Sequence, residues 1–497
     1  MNIAMLLQMA AEAGFGRRAL TSDGRHYSAA DLLAAAGGAA QRIRGSGCGF
    51  VSVLDVSSPS TPVALFGAAM AGVPYAPLNY RLPADRVEAL IARLDPLYLI
   101  ADEEGCAAHG KHPAVATAAA SGTFLDEAIS EGDPEAAWPD DPGIAVQLFT
   151  SGTTGPPKAA ILRHEHLMSY ILGSVEFASA EEDEAALVSV PPYHIAGISA
   201  LLSGVYAGRR IVQLANFDAA AWLDLAEREA VTSAFVVPTM LARIVEVLEE
   251  GGRRPDLGPL RAIAYGGGRM PVNVIERALD LFPGVDFTNA YGLTETSSTV
   301  TLLGPEDHRR ALASDDPDVR ARLGSVGQAL PSVEIEIRDA DDKPLAQGQP
   351  GEVHVRGPQV SGEYRERSVI DANGWFPTRD TGHLDTEGYL FLSGRADDVI
   401  VRGGENISPA EVEDVLLGHD AVADAAAVAV ASEQWGEAVG VAVVLKPGAS
   451  AGAEELCELV RSRLRSSRVP EAVRFVDELP YNETGKLLRR EIKPWFA

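Results

Sequence analysis

Short apolar runs alternate with alanine-rich helical stretches over the first 140 residues. FVSVLDV (50–56) predicts a buried strand, TPVALFGAAMAG (61–72) a helix closed by Gly72, and LYLIAD (97–102) a second strand. This β-then-α rhythm predicts doubly wound parallel sheets. GIAVQLF (143–149) is the next strand. The alternation continues at ALVSVPP, RRIVQLA, SAFVVPT, RAIAYGG and VDFTNAYG, each run ending in a polar or glycine-rich turn. In open α/β sheets, ligands collect at such strand ends.

From about residue 325 the texture changes. VEIEIRDADDKPLAQGQPGEVHVRG alternates with period two around turn residues, which predicts antiparallel hairpins and a small barrel-like part at 325–394. After GRADD (394–398), Ser408 and Pro409 open a helix as N-cap and N1 residues. DAAAVAVAS and EAVGVAVVL predict two strands, and AEELCELVRSRLRSS a second helix. The expected fold is α/β: a large N-terminal domain over 1–396, then a small α+β domain over 397–497. The opening MNIAMLLQMAAEAG has no basic flank, so it is read as a surface helix and not a signal peptide.

Composition narrows the ligand. The chain has 497 residues, enough for more than one core, and a formal net charge of −28. That charge argues against nucleic acid and against anionic lipid as partners. A polyanionic ligand must then be met locally, by backbone N–H groups, a few placed cations and Mg²⁺. Cys48, Cys106 and Cys457 are few, odd in number and far apart. They fit a reducing cytoplasm and no zinc cluster. No apolar run of about 18 residues predicts a membrane span. The oligomeric state is open, and a homodimer is compatible.

The stretch FTSGTTGPPKAA (149–160) places three hydroxyls, two glycines and Lys158 in one loop. Backbone amides of such a loop form a nest for phosphate oxygens, though it is not a GxxxxGK[ST] box and a plain solvated turn has the same composition. NAYGLTET (289–296) offers Tyr291 for stacking on a base and Glu295 for Mg²⁺; helix capping explains the same residues. Asp380 and Arg395 each suit a ribose diol, against the alternative of two surface hairpins joined by a salt bridge. Lys486 lies on a glycine turn near the C-terminus, where a lysine is commonly exposed and idle.

Together these segments resemble the adenylate-forming superfamily: acyl-CoA synthetases, peptide-synthetase adenylation domains and firefly-type luciferases. The resemblance runs through YSAADLLAAAG, AGVPYAPLNYRLP, SGTTGPPK, PPYHIAG, YGGG, YGLTE, GEVHVRGP, TRD, GRADDVIVRGGENISPAEVE and NETGKLLRR. It implies ATP, Mg²⁺ and CoA as cofactors and substrates. Thr150, Ser151, Gly152, Thr153, Thr154, Gly155 and Lys158 match the loop over the ATP phosphates. Gly266, Gly267 and Gly268, with Asn289, Ala290, Tyr291 and Gly292, match the adenine site. Thr294 matches the α-phosphate contact, Glu295 the magnesium ligand, and Asp380 with Arg395 the ribose contacts. Lys486 matches the lysine that bridges carboxylate and α-phosphate, and Asp397 the hinge of a swinging C-terminal domain. Gly403 and Gly404 match the thiol tunnel. His194 matches a gate beside the acyl pocket, against the alternative of a buried histidine satisfied by backbone. Tyr193, Ile195, Gly197, Val237 and Met240 match the pocket itself.

Two residues depart from the family pattern. Ala159 stands where glycine is usual, and strain follows if the site needs positive φ. Arg163 replaces a hydroxyl beside the loop, where it could obstruct the nucleotide. Both put adenylation in question and leave thioester formation untouched.

The segments YHIAGISALLS and AFVVPTM carry no acidic residue, so an uncharged acyl tail is expected. Asp218 resembles the FD that opens a helix in acyl-CoA synthetases, not an amine-binding aspartate. Residues 398–497 hold 17 Asp/Glu against 11 Lys/Arg, which favours CoA over an acidic carrier protein as acceptor. The expected activity is that of an acyl-CoA ligase. The alternatives are a thioester-forming enzyme fed with preformed adenylate, an enzyme loading carrier-protein phosphopantetheine, and a non-catalytic adenylate binder.

Overall fold

The computed structural model describes residues 1–14, 17–140, 143–150, 157–251, 255–482 and 486–496. Its centre is a nine-stranded sheet. The order runs Gln328–Ala329, Ser298–Leu303, Asp286–Leu293, Ala262–Gly266, Ser233–Val236, Ala185–Val188, Arg210–Gln213, Arg18–Ser22, Arg25–Ser28. The six strands from Asp286–Leu293 to Arg18–Ser22 are parallel, and antiparallel strands close both ends. The apolar runs become interior strands because helices such as Ile195–Ala207 and Pro238–Glu249 bury the sheet.

A second sheet joins two parts. Phe50–Leu54, Leu97–Ala101 and Val115–Ala120 are parallel. Ile144–Thr150, Lys158–Arg163, Glu363–Tyr364 and Arg367–Ser368 are antiparallel. Tyr75 bridges the parts by pairing with both Val51 and Val146. The helix Ser60–Ala71 ends at Gly72 in the left-handed conformation, as its sequence predicts.

Two expectations change here. The opening helix, Ala4–Glu12, is docked: Leu6 and Leu7 are fully buried, and Asn2 donates to the Ala69 carbonyl at 2.9 Å. Its leucines recur at core spacing and outweigh its terminal position. The part expected to be barrel-like is a four-stranded antiparallel sheet, ordered Glu334–Arg338, Gly351–Arg356, Phe376–Leu384, Leu390–Arg395. The short strand Glu363–Tyr364, which lies within that part of the sequence, pairs instead with Lys158–Arg163.

Beyond Asp398, two long strands, Val422–Ser432 and Gly436–Leu445, pair antiparallel. The helices Pro409–Leu417 and Ala453–Arg463 pack on one face around Val412, Leu416, Leu456 and Val460. Ser408 is the N-cap of the first helix, with Pro409 at its first turn, and Glu411 accepts from the Ser408 N–H at 3.2 Å.

Candidate active site

Three side chains from three strands meet at one point. Tyr291, near the end of the strand Asp286–Leu293, donates its hydroxyl to Asp380 Oδ2 at 2.7 Å. Arg395 Nη1 donates to Asp380 Oδ1 at 3.2 Å and to the Thr378 carbonyl at 2.9 Å. The last pair is set by register, because Asp380 and Arg395 are opposite residues on neighbouring antiparallel strands. The salt bridge considered from sequence therefore exists, but it is half-buried and capped by Tyr291. Burial and the Asp380 charge push the Tyr291 phenol well above its ordinary range. Burial opposes the Arg395 cation, yet Asp380 more than offsets this and its pKa rises. A carboxylate has about four lone-pair sites, so two remain on Asp380 for a diol.

Lys486, near the C-terminal end of the chain, lies within range of the Arg395 and Asp380 charges. The residue keeps access to solvent, while the atoms packed around its ammonium strip away enough water to disfavour the charge. Burial and Arg395 lower its pKa, while Asp380 and Asp398 oppose that shift. The lysine is thus not remote from the Asp380–Arg395 pair. Its hairpin is held by mutual bonds of 2.8 Å, Lys486 N–H to Asn482 Oδ1 and Asn482 N–H to the Lys486 carbonyl.

Glu295 is 8% exposed, on the short 3-10 turn Thr294–Thr296 that follows Leu293. Tyr364 donates to its Oε1 at 2.5 Å. Its main-chain carbonyl accepts from Ser361 N–H at 2.8 Å and Gly362 N–H at 3.3 Å. The segment 361–364 therefore grips Glu295 at both backbone and side chain. Thr294 is half-buried beside it. No group of three or more His, Cys, Asp or Glu suited to a metal occurs among the described residues. Mg²⁺ in nucleotide sites is commonly held by one or two carboxylates plus the phosphates, so a single buried, oriented Glu295 fits it.

The glycine run lies alongside. Gly266 and Ala290 are partners in adjacent parallel strands, and a β-carbon on Gly266 would sit 2.1 Å from the Ala290 carbonyl oxygen. Only glycine allows that approach. Asn289 anchors the same strand end by donating to the Ser325 carbonyl at 3.1 Å. Gly292 ends that stretch opposite Thr299. Gly267 and Gly268 are exposed, and a β-carbon on Gly267 would touch Val237 Cγ1 at 3.5 Å.

Residues 7–365 match the family of AMP-binding enzymes, and residues 411–486 match the AMP-binding enzyme C-terminal domain. The chain belongs to the AMP-binding enzymes, the adenylate-forming superfamily. It is 32% identical over 459 residues to a feruloyl-CoA synthase of Amycolatopsis sp, covering 90% of this chain and 89% of that one. It is 32% identical over 452 residues to the fatty acid–[acyl-carrier-protein] ligase ScoC of Streptomyces coeruleorubidus, covering 87% and 84%. Among solved structures it resembles o-succinylbenzoate CoA synthetase (MenE) of Bacillus subtilis in complex with the acyl-adenylate intermediate OSB-AMP. There the TM-score is 0.84 at 29% identity, covering 98% of this chain and 97% of that one.

In this AMP-binding enzyme, 151–156 of the expected phosphate loop lie outside the described residues, which takes in Ser151, Gly152, Thr153, Thr154 and Gly155. The flanks are described. Thr150 and Lys158 are cross-strand partners, and the Lys158 ammonium lies 5.5 Å from the centre of the Tyr364 ring. Both departures read differently in three dimensions. Ala159 is fully buried in the strand Lys158–Arg163, opposite Phe149, and is not among the residues with positive φ. Strain at this position is thus overturned, since an extended strand accepts alanine. Arg163 is bound to Glu363 by two hydrogen bonds of 2.8 Å. Its charge is engaged there, which takes it out of competition for the charge of a nucleotide.

On the acyl side, His194 is the N-cap residue of Ile195–Ala207. Its Nε2 is buried and has no hydrogen-bond partner, so the backbone-satisfied reading does not hold. Burial, aided by Arg81, lowers its pKa to about 4. Tyr193 packs on it with ring centres 4.5 Å apart, and Tyr80 stands edge-on to Tyr193 at 5.6 Å. Ser199, one turn on, donates to the Ser297 carbonyl at 3.3 Å, which ties this helix to the Thr294–Thr296 turn. Ile195 and Gly197 are half-buried, whereas Val237 and Met240 are core residues. Asp218 caps the helix Ala219–Arg228 by accepting from Ala221 N–H at 2.9 Å, as its resemblance implies.

Asp397 lies in the 3-10 turn Ala396–Asp398, directly after Arg395. Gly403 and Gly404 turn the chain between Ile400–Arg402 and Glu405–Ile407 with φ of 58° and 86°. Gly403 lies against Trp435, where a β-carbon would come within 2.9 Å of the indole. Sequence reasoning missed Tyr364, Glu363 and Arg269. None of them belongs to a local motif, and each acts through a partner distant in sequence.

Proposed function

We propose that this chain is an AMP-forming acyl-CoA ligase that activates a carboxylic acid with an uncharged, bulky tail. The observation that carries the reading is the Tyr291–Asp380–Arg395 group together with the buried, held Glu295, with Lys486 within range of the Asp380 and Arg395 charges. In this reading Asp380 and Arg395 hold the ribose, Tyr291 and the Gly266–Gly268 backbone hold the adenine, and Glu295 holds Mg²⁺. When bound, Mg²⁺ supplies neutralisation of charge on the departing pyrophosphate.

The first half-reaction is in-line attack of the carboxylate on the α-phosphorus. Such transfer depends on positioning and charge neutralisation. The Lys486 ammonium screens the repulsion between carboxylate and α-phosphate, and Thr294 contacts the α-phosphate. In the second half-reaction the CoA thiol attacks the carbonyl of the mixed anhydride, and AMP leaves. Lys486 has no task in that step, and the Gly403–Gly404 turn is the proposed thiol path. The chain pivots near Asp397 between the two, with 1–396 and 397–497 as the moving units. No described helix is long and apolar enough to cross a membrane, and three free cysteines suit a reducing cytoplasm.

The aromatic cluster Tyr80–Tyr193–His194 and the small residues Ala196, Gly197 and Ala200 favour a bulky tail. The MenE structure is also known with ATP and magnesium ion, and feruloyl-CoA synthase is named for an aromatic acid, in keeping with this reading. The test is a panel of carboxylic acids with ATP, Mg²⁺ and CoA, read by mass spectrometry and by acid-dependent pyrophosphate exchange. Acyl-CoA together with AMP supports the reading; no exchange with any acid overturns it. The likeness to ScoC supports a second reading, a carrier-protein ligase. Exchange without acyl-CoA, with transfer to a phosphopantetheinylated carrier, would select it.

A further inference from the structure

Arg269 directly follows the Gly266–Gly268 run and points across to the other unit of the chain. Its Nη1 donates to the Ala410 carbonyl at 3.1 Å, and its Nη2 to the Asp414 carboxylate. Nη1 also lies 3.8 Å from Glu413 Oε2. All three partners are on the helix Pro409–Leu417.

Glu413 is 5% exposed and fully engaged. Arg489 Nη2 donates to both of its oxygens, at 2.6 and 2.8 Å, and Ala427 N–H donates to Oε1 at 2.8 Å. Arg489 stands three residues after Lys486. On the other side of the Lys486 hairpin, the Tyr481 hydroxyl donates to Asp424 Oδ2 at 2.8 Å. Lys486 is therefore fixed within its own unit, and its place over the nucleotide site depends on how that unit is seated.

We infer that Arg269 is a positioning residue that seats the C-terminal unit so that Lys486 meets Asp380 and Arg395. The inference rests on the proposed two-step reaction and goes beyond it. A guanidinium suits this task, because it can bond a carbonyl and a carboxylate at once from a fixed plane. The ion pair is partly exposed, with side-chain exposures of 42% and 44%, so it is weak enough to break at each turnover. Its effect must then fall on the half-reaction that uses Lys486 and spare the one that does not.

The experiment compares wild type, Arg269→Ala, Arg269→Asp, and the swap of Arg269→Asp with Asp414→Arg. The readouts are pyrophosphate exchange, thioester formation from supplied acyl adenylate, and small-angle X-ray scattering of the free enzymes. Arg269→Ala should slow exchange about threefold to tenfold and leave the thioester step unchanged or faster. Arg269→Asp should be slower still and scatter as a more extended particle, and the swap should recover both. Equal loss in both half-reactions, or a swap that recovers neither exchange nor compactness, overturns the inference. If wild type shows no exchange with any acid, the two-step reaction fails. Scattering then decides the latch on its own: an unchanged particle across all variants rejects it, and expansion reversed by the swap retains it.

Discussion

Arg163 and Glu363 meet in a two-point pair, Nε to Oε2 and Nη2 to Oε1, both at 2.8 Å. They come from neighbouring antiparallel strands, so the pair staples Glu363–Tyr364 to the strand that leaves the phosphate loop. The same short strand carries Tyr364, which holds Glu295. A residue that looks intrusive beside the loop is thus part of the frame of the site.

Arg163→Ala should therefore weaken the enzyme, not free it. The side chains are 40% and 29% exposed, so solvent screening limits the pair to roughly 1 kcal/mol despite its two bonds. Thermal melting should fall by roughly 2 °C, and the KM for ATP should rise modestly. A faster pyrophosphate exchange in Arg163→Thr would instead show that the guanidinium obstructs the nucleotide.

Tyr364→Phe removes one hydroxyl and the hydrogen bond to the Glu295 carboxylate. A bond to a charged group is worth roughly 1.5–3 kcal/mol. The freed carboxylate can rotate, so binding of Mn²⁺ with ATP, followed by electron paramagnetic resonance, should weaken by about tenfold. The Mg²⁺ concentration needed for half-maximal exchange should rise with it. Unchanged Mn²⁺ affinity would mean that Tyr364 only packs.

The parallel sheets were legible because a strand covered on both faces is written as a nearly continuous apolar run, as in LYLIA and in FVSVL, where Ser52 alone interrupts it. The site motifs were legible because each sits at a strand end or turn within a few residues. The contacts that orient them were not. Tyr364 and Glu295 are 69 residues apart, Arg269 and Asp414 145, and Arg163 and Glu363 200. Ala159 shows the opposite error, a local rule applied where pairing decides. Opposite Phe149 in an extended strand, it needs no glycine. Ala159→Gly should then leave exchange unchanged or slightly lower, with a stability loss of roughly 0.5–1 kcal/mol. A clear rise in exchange would restore strain at this residue.

His194 carries a pH signature. Its folded pKa is lowered to about 4, below the ordinary histidine value near 6.5. Between those values the unfolded chain binds a proton that the folded protein does not, so stability falls as pH drops from about 6.5 toward 4. Other histidines, among them the half-buried His166 and the buried His308, are shifted the same way, so the comparison must be by difference. His194→Gln should lose less melting temperature than wild type over that window. Parallel curves would place the His194 ring in contact with solvent.

Lys486 gives the sharpest separation of the two half-reactions. Lys486→Ala should abolish adenylate formation and leave thioester formation from supplied adenylate largely intact, because in the proposed mechanism the ammonium acts only while charge builds between carboxylate and α-phosphate. Its pKa is lowered by burial and by Arg395, and Asp380 and Asp398 restrain that fall. In the proposed mechanism the protonated form is the active one. Pyrophosphate exchange should therefore decline on the alkaline side, with a midpoint below the ordinary lysine value near 10.4, and thioester formation should lack that limb. Asp398→Asn removes one restraining charge and should move the midpoint lower still. Equal loss of both half-reactions in Lys486→Ala would assign the lysine a structural task. An alkaline limb shared by both steps would assign the titration to another group.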